Sequence, residues 1–369
     1  MTPQAEIQLI AVVVAAACAL PGVFLVLRRL ALMSDAISHA ILPGIVIGFF
    51  LTHDLNSPLL IIGATLTGLL TVALVEVIER TGLVKEDAAI GLVFPALFSI
   101  GVILITQFAS DVHLDVDAVL LGELAFAPFD RFSIGDIDLG PRALVVMSVV
   151  LVLNVAFIGF FYKELKLSTF DAGLAATLGL MPGVLHYGLM ALVSVTAVSA
   201  FDAVGSILVV ALMIGPPAAA YLLTDRLDRM LLMSAGLGGV AALLGYALAR
   251  TLDASIAGAM ATVVGLLFGL TYLLAPERGL IATMRRQRRQ RWRFAQKMLT
   301  IHLLNHEGLP EETRENRVSH LHEHIRWAPA FGQRVVKLSE HDRLILRHGD
   351  HLALTDAGRE LAQEAIVET

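Results

Sequence analysis

The stretch Leu32-Met-Ser-Asp-Ala-Ile-Ser-His-Ala-Ile-Leu-Pro-Gly44 places a carboxylate and an imidazole inside a run that is apolar enough to lie in a membrane. Asp35 and His39 are four residues apart, so a helix would present both side chains on one face, one turn apart. Ionisable groups are costly in a bilayer and usually serve a function there. The pattern therefore predicts a functional polar site on a membrane-spanning helix. The alternative is a helix-end aspartate near the headgroups and a histidine that a neighbouring helix satisfies.

The composition of the whole chain indicates a polytopic membrane protein. Of its 369 residues, 56% are hydrophobic and 16% are charged, and its mean hydropathy is +0.75. Soluble domains are about 45–50% apolar and about 25% charged. Residues 1–275 hold long apolar runs and 277–369 resemble a soluble segment, so the net charge of −6 averages two unlike parts. The single cysteine, Cys18, excludes an internal disulfide and a cysteine-based metal cage.

Nine segments are long and apolar enough to cross a bilayer, which takes about 20 residues. They lie near residues 6–27, 34–52, 57–79, 86–108, 142–162, 184–201, 203–223, 229–249 and 255–275. Basic residues concentrate in the cytoplasmic loops of membrane proteins. Those that fall on one side here are Arg28, Arg29, Arg80, Lys85, Lys163, Lys166, Arg226, Arg229 and the arginines of 285–293. The pattern predicts an outer N-terminus and a cytoplasmic C-terminus, with Arg131, Arg142 and Arg250 as exceptions.

Two regions of the membrane part are less regular. The segment 115–141 contains an apolar run too short to cross, and we expect a re-entrant or partly inserted helix there. Whether 115–128 enters the membrane is left open, as is the division of residues 184–223 into spans. Gly215-Pro-Pro217 is expected to interrupt its helix, because proline removes a backbone donor and clashes with the preceding turn, and a simple kink is the alternative.

A short amphipathic helix is predicted on the cytoplasmic side, within residues 163–179. Ser168 or Thr169 would cap it and Asp171 would lie in its first turn. Its apolar positions at helical spacing are Phe170, Leu174 and Leu178. Helices that lie on a membrane surface are usually richer in Lys and Arg, so docking into a partner's groove is the favoured interpretation.

Four stretches resemble those of the permease subunits of ABC importers for manganese, zinc and iron. They are Asp35–Gly44, Lys85–Phe94, Phe170–Gly179 and Val204–Tyr221, in order within about residues 5–275. The resemblance implies an all-α, multi-pass permease of the bacterial inner membrane that imports a divalent transition metal. It also implies three partners: a cytoplasmic ABC ATPase, a periplasmic or lipid-anchored metal-binding protein, and a second permease, identical or paralogous. No GxxxxGK[ST] loop occurs in the sequence, which supports a transport subunit that is not itself an enzyme.

The resemblance also assigns site residues. Asp35 and His39 match the family's metal-coordinating pair within the membrane, and their N and O donors suit Mn²⁺, Fe²⁺ and Zn²⁺. Mn²⁺ or Fe²⁺ is the expected cargo, with Zn²⁺ next, and no permanently bound cofactor is expected. Asp202 is a second candidate for the pathway, the alternative being a turn residue at the outer end of a span. The helix that couples to the ATPase would contain Phe170, Asp171, Leu174 and Gly179.

The C-terminal part is predicted to divide into a basic juxtamembrane linker, 277–293, and a cytoplasmic domain, 294–369. Six arginines in 285–293 would hold anionic lipid headgroups, with Trp292 as an interface anchor, or would simply fix the topology. Helices near 288–306, 311–324 and 329–340 are expected, followed by a hairpin (344–347 with 351–354) and a last helix capped by Thr355.

This order is similar to the winged helix-turn-helix domain of iron-dependent repressors. Such folds also serve as protein-interaction modules, so DNA is not an expected partner. Eight of the twelve histidines lie in this domain. A metal-sensing site is one hypothesis, and a histidine-rich soluble surface is the other; the candidate ligands, paired at i,i+4 spacing, are His302 with His306 and His320 with His324.

Two other functions stay open at this stage. A secondary metal–proton carrier would need no ATPase and should show repeated halves. A membrane-anchored, metal-responsive regulator would instead predict operator binding by the C-terminal domain.

Overall fold

The computed structural model describes residues 2–53, 57–108, 124–134, 137–321 and 326–367. The chain forms two compact units, Met1–Gly279 and Leu280–Thr369. Within the described residues of the first unit, nine helical segments are long and apolar enough to cross a membrane, and one of them, Ala31–Thr52, consists of two consecutive helices. The predicted helical, polytopic fold is therefore confirmed, and residues 184–223 divide into two spans.

The first unit is built from helices joined by short connections. They are α1 (Pro3–Leu27), α2 (Ala31–Ala40), α3 (Leu42–Thr52), α4 (Pro58–Arg80), α5 (Glu86–Phe108), α6 (Arg142–Phe160), α7 (Tyr162–Phe170), α8 (Ala172–Thr177), α9 (Pro182–Val204), α10 (Ser206–Leu223), α11 (Leu227–Leu252) and α12 (Ile256–Leu274). The buried core centres on α1, whose fully buried side chains include Ile10, Phe24 and Leu25.

The predicted span 34–52 is interrupted in the structure. It consists of α2 and α3, which meet at Ile41. Pro43 explains the break, because a proline ring clashes with the carbonyl four residues earlier and offers that carbonyl no N–H. The carbonyl in question belongs to His39, so the chain departs from regular helix beside one of the two candidate ligands.

The predicted interruption at Gly215-Pro-Pro217 was wrong. Helix α10 runs through Pro216 and Pro217 without a break. Pro217 cannot donate to the carbonyl of Met213, but that carbonyl faces Gly22 of α1: a Cβ at Gly22 would lie 1.9 Å from Met213 O. The absence of a side chain at Gly22 lets the two backbones meet, and such contacts make proline tolerable in membrane helices.

A second close backbone contact holds α3 against α4. A Cβ built on Gly44 would lie 2.2 Å from Gly63 O, and one on Gly63 would lie 2.4 Å from Gly44 O. Small residues of this kind allow membrane helices to approach closely. The contact holds the first turn of α3 against α4.

Most of the predicted inserted helix at 115–128 lies outside the described residues. Leu124 is buried, and residues 124–129 form turns. Residues 131–134 and 137–141 are not helical: β1 (Arg131–Ile134) and β2 (Ile137–Pro141) pair as antiparallel strands. Arg131, an exception to the loop-charge pattern, lies 2.6 Å from Asp138 and 3.6 Å from Glu6 in α1, so acidic partners compensate its charge.

The second unit contains α13 (Leu280–His306), α14 (Glu312–Glu315), a 3₁₀ turn (Val318–His320), α15 (Pro329–His341), β3 (Ile345–His348), β4 (His351–Leu354) and α16 (Asp356–Val367). The predicted hairpin is confirmed, as is the cap on α16, where Thr355 Oγ1 accepts from Gly358 N at 3.1 Å. Helix α13 begins at Leu280, earlier than the predicted start near residue 288. The expected single helix over 311–324 was wrong, because its described part is a short helix followed by a 3₁₀ turn.

Candidate metal pathway and coupling site

Asp35 and His39 lie together on one face of α2. Asp35 Oδ1 is 3.5 Å from His39 Nε2, and their side chains are 45% and 29% exposed. The neighbouring residues Met33, Ser34, Ala36, Ile37 and Ser38 are buried. The described helices therefore cover most of α2 and leave the face of the polar pair partly open.

The surroundings of this pair are apolar. The His39 ring lies 6.1 Å from the Phe94 ring and 6.4 Å from the Phe98 ring, both on α5. The two buried serines of α2 bond within their own helix: Ser34 Oγ donates to Ala31 O at 3.0 Å and Ser38 Oγ to Ser34 O at 2.8 Å. Their hydroxyls stabilise the helix, so the carboxylate and the imidazole are its best ligands for a cation.

Asp202 does not join this pair. It is exposed in the last turn of α9. Arg28 at the end of α1 contacts His186 in the first turns of α9, so α9 begins on the side where α1 ends and α2 begins. Asp202 consequently lies at the opposite end of the spans from Asp35.

A polar network that the sequence did not reveal is centred on Arg28. Its Nε donates to Thr169 Oγ1 at 3.1 Å, and its Nη2 donates to Ser168 Oγ at 3.1 Å. Arg28 Nη1 lies 3.2 Å from His186 Nδ1. Burial lowers the pKa of the guanidinium, but arginine stays charged in proteins and can only donate. The last turn of α7 is thereby held against the ends of α1 and α9.

Glu76 on α4 completes this network. Because Arg28 donates to Nδ1 of His186, the proton of a neutral His186 ring sits on Nε2, which is 2.7 Å from Glu76 Oε1. Glu76 Oε2 also accepts from Tyr187 Oη at 2.9 Å and from Arg80 Nη2 at 3.2 Å. With Arg80 paired to it and Tyr187 and His186 bonded to its oxygens, this carboxylate is a poor cation ligand. Glu76 and His186 are ionisable residues in otherwise apolar spans, and this was the sequence signal that could have identified the network.

Replacing Arg28 with methionine should loosen the attachment of α7. Hydrogen bonds to charged groups contribute about 1.5–3 kcal/mol each, and this variant removes three. We expect a lower midpoint of denaturant unfolding in detergent. Arg29→Met is the matched control, because Arg29 is exposed in the same turn. Equal midpoints for the two variants would contradict this role of Arg28.

The predicted cytoplasmic helix is α8, and two of its assigned residues are its caps. Asp171 Oδ1 accepts from Leu174 N at 2.8 Å, so Asp171 is the N-cap, and the expected capping by Ser168 or Thr169 was wrong because both lie in α7. Gly179 has φ +80°, and Leu180 N donates to Ala175 O at 3.1 Å, which is a Schellman C-cap.

The apolar side chains of this region are uncovered by the described part of the chain. Phe170 is 62% exposed, Leu174 46% and Leu178 64%. A short helix that is capped at both ends and presents large apolar side chains is suited to insertion into a groove of another protein. The caps hold its shape without help from a partner.

The histidines of the second unit are brought together only in part. One ligand atom from each of His302, His306 and Glu315 can be chosen so that all lie within 4.8 Å of one another. His320 Nδ1 lies 3.1 Å from Glu315 Oε2. His324 lies outside the described residues. Glu315 was not predicted as a ligand, because the prediction depended on the spacing of histidines alone. The turn that brings Glu315 back to α13 has no strong local sequence signature.

Comparison with known proteins gives concordant results. Residues 5–275 match the ABC 3 transport family. The zinc transport system membrane protein TroD of Treponema pallidum is 49% identical over 358 residues, 97% of this chain and 97% of that protein. The manganese transport system membrane protein MntD of Bacillus subtilis is 47% identical over 270 residues, 73% of this chain and 91% of that protein.

A solved structure also resembles this chain. A chain in PsaBC from Streptococcus pneumoniae in complex with Fab matches with a TM-score of 0.63 and 29% identity, over 75% of this chain and 94% of that one. At 97% coverage, the match to TroD includes most of the second unit, whereas the family match ends at residue 275.

Proposed function

The chain belongs to the ABC 3 transport family and is the permease subunit of a metal ABC importer, and we propose that it passes Mn²⁺, Fe²⁺ or Zn²⁺ into the cytoplasm across a site formed by Asp35 and His39. The nine apolar helical segments in the described part of the chain make it a multi-pass membrane protein. Membership of this family sets aside the secondary carrier and the membrane-anchored regulator.

The geometry of the pair is the observation that supports this site most strongly. Two ligands at about 2.1 Å from one tetrahedral ion lie about 3.4 Å apart, and the Asp35 and His39 ligand atoms are 3.5 Å apart. One imidazole nitrogen with one carboxylate oxygen suits the ions from Mn²⁺ to Zn²⁺. Two protein ligands hold an ion weakly, and conduction requires that the ion can leave again.

The uncovered face of α2 and α3 supports a site shared with a second permease subunit. Ile47, 52% exposed, and Leu51, 74% exposed, lie one turn apart on α3, and Asp35 and His39 lie one turn apart on α2. Polar side chains that the described helices leave partly open can bond across a helix–helix interface in a membrane. The partner, identical or paralogous, would supply the remaining ligands.

The break beside His39 adds to the case. Pro43 leaves the carbonyl of His39 without its helical donor, and a carbonyl freed in this way could face an ion in the pathway. Asp35 and His39 lie about 6 and 12 Å along the helix axis from Ala31 at a rise of about 1.5 Å per residue. The site is then in the cytoplasmic half of the membrane, with Asp202 at the outer end of the pathway.

The coupling helix α8, with Phe170, Asp171, Leu174 and Gly179, is proposed to seat in a separate ABC ATPase subunit. Its exposed apolar side chains would occupy the groove, and the Arg28 network would carry its displacement to α1, α4 and α9. A periplasmic or lipid-anchored binding protein would deliver the metal on the opposite side.

Residues 294–369 of the second unit are proposed to form a cytoplasmic winged-helix domain, and the arginines of 285–293 before it are proposed to lie at the lipid headgroups. The order of helices and hairpin supports this fold, as does the β-bridge between Arg317 and His351, which adds a third short segment to the hairpin. We assign it an interaction or regulatory role in the transporter, within boundaries of 277–293 for the basic segment and 294–369 for the domain.

Competition for uptake tests the proposed cargo. Cells that express the chain with its ATPase and binding protein should accumulate radiolabelled Mn²⁺, and excess Fe²⁺ or Zn²⁺ should reduce this accumulation. Excess Mg²⁺ or Ca²⁺ should not, because these ions prefer all-oxygen sites. Equal inhibition by Mg²⁺ would contradict a nitrogen-containing site.

A further inference from the structure

Three potential metal ligands converge in the second unit at the end of α13. His302 and His306 are one turn apart on this helix, with ring centroids 4.8 Å apart. Glu315, the last residue of α14, faces both, and a ligand atom from each of the three lies within 4.8 Å of the others. The turn between the helices therefore gathers residues from two elements around one point.

Burial distinguishes this cluster from an ordinary histidine-rich surface. Glu315 is only 6% exposed, and His302 and His306 are half-buried. Carboxylates are seldom buried unless they are paired or bind a metal. His320 supplies one partner, with Nδ1 3.1 Å from Glu315 Oε2. Metal-ligating carboxylates are commonly oriented by a polar group in this outer position.

We propose that His302, His306 and Glu315 form a second divalent transition-metal site, distinct from the transport pathway, and that His320 is a positioning residue for Glu315. Two imidazoles and one carboxylate form a ligand set that serves Zn²⁺ and Fe²⁺ in proteins and leaves a position open for water. Ligand atoms around a tetrahedral ion lie about 3.4 Å apart. Side-chain rotations that move the ligand atoms by about 1 Å would therefore close the site.

The residues after Glu315 connect this site to the β-hairpin. Asn316 O accepts from Leu352 N at 2.8 Å, and Val318 N donates to Asp350 O at 2.8 Å. Ser319 Oγ donates to Asp350 Oδ2 at 2.6 Å. A metal that joins α13 to Glu315 would thus hold the hairpin in a fixed position relative to α13. The site provides a means for the second unit to respond to metal concentration.

Metal binding to the full chain tests the proposal independently of transport. The parent protein carries Asp35→Ala and His39→Ala, so that the proposed transport pair cannot contribute, and it is purified in detergent, untagged and metal-free. Calorimetric titration with Zn²⁺ should detect about one equivalent per chain. Adding Glu315→Gln or His306→Gln should abolish that equivalent, and His320→Ala should retain it with affinity about 10–100-fold weaker.

Exposed residues of the same unit provide matched controls. His348→Ala and Glu340→Gln remove an imidazole and a carboxylate outside the cluster, and both should bind Zn²⁺ as the parent does. Thermal unfolding without metal identifies any variant that fails to fold, and Glu315→Gln is close to isosteric. The proposal is overturned if the parent binds no Zn²⁺, or if folded Glu315→Gln and His306→Gln proteins bind it unchanged.

Discussion

Alanine at Asp35 or at His39 is expected to abolish metal uptake while the transporter still assembles. Either substitution leaves one protein ligand from this chain. Loss of an outer hydrogen-bonding partner alone typically lowers metal affinity about 10–100-fold, and loss of a ligand should cost at least as much. The measurement is the initial rate of radiolabelled Mn²⁺ uptake, normalised to the amount of assembled complex.

Ser38→Ala is the control for this prediction. Ser38 neighbours His39 on the same helix, but its hydroxyl bonds to Ser34 O and is buried. This variant should retain uptake close to that of the wild type. Normal uptake in both Asp35→Ala and His39→Ala would remove the site assignment, and loss in all three variants would indicate a general packing defect of α2.

The second large effect is expected at Leu174, whose replacement by glutamate should uncouple the permease from its ATPase. Leu174 is an exposed residue within α8, between the exposed Phe170 at the end of α7 and the exposed Leu178 just after α8. Buried interface anchors contribute at least about 2 kcal/mol, which is roughly a 30-fold change in affinity. A charge in the groove should weaken co-purification of the ATPase by about this factor and reduce ATP-dependent uptake accordingly.

Leu83→Glu is the matched control for the coupling prediction. Leu83 is 87% exposed in the loop after α4, on the same side of the spans as α8. Its substitution adds the same charge without touching the apolar face of α8, so the ATPase should remain bound. Equal loss of the ATPase in both variants would show that charge, rather than the α8 surface, determines association.

The sequence was sufficient to predict the spans and the placement of Asp35 beside His39. Span prediction depends on length and hydropathy, which are local properties, and the nine helices follow them. The placement of Asp35 beside His39 depends only on helical periodicity, and the 3.5 Å separation agrees with it. Both predictions needed no knowledge of how the helices pack.

Prediction failed where packing decides the outcome. Pro43 and Pro217 each remove a helical donor, yet only Pro43 ends a helix. Pro217 lies in a continuous helix because Gly22, almost 200 residues away, allows α1 to contact the carbonyl that Pro217 leaves free. The spacing of residues within one helix contains no information about such a neighbour.

The Arg28 network and Glu315 were missed for the same reason. Glu76 and His186 are 110 residues apart in sequence, and only the packing of α4 against α9 brings them to 2.7 Å. Glu315 reaches His302 through a turn and a four-residue helix that carry no periodic pattern. Long-range pairs of this kind follow from tertiary structure rather than from local propensity.

ATP-dependent uptake into proteoliposomes tests the central claim most directly. The purified chain is reconstituted with its ATPase subunit, and the metal-loaded binding protein is supplied on the side opposite the ATPase. We predict that radiolabelled Mn²⁺ crosses to the ATPase side only with hydrolysable ATP, and that vesicles carrying Asp35→Ala remain at background. Equal uptake without ATP would contradict a permease energised by a separate ATPase.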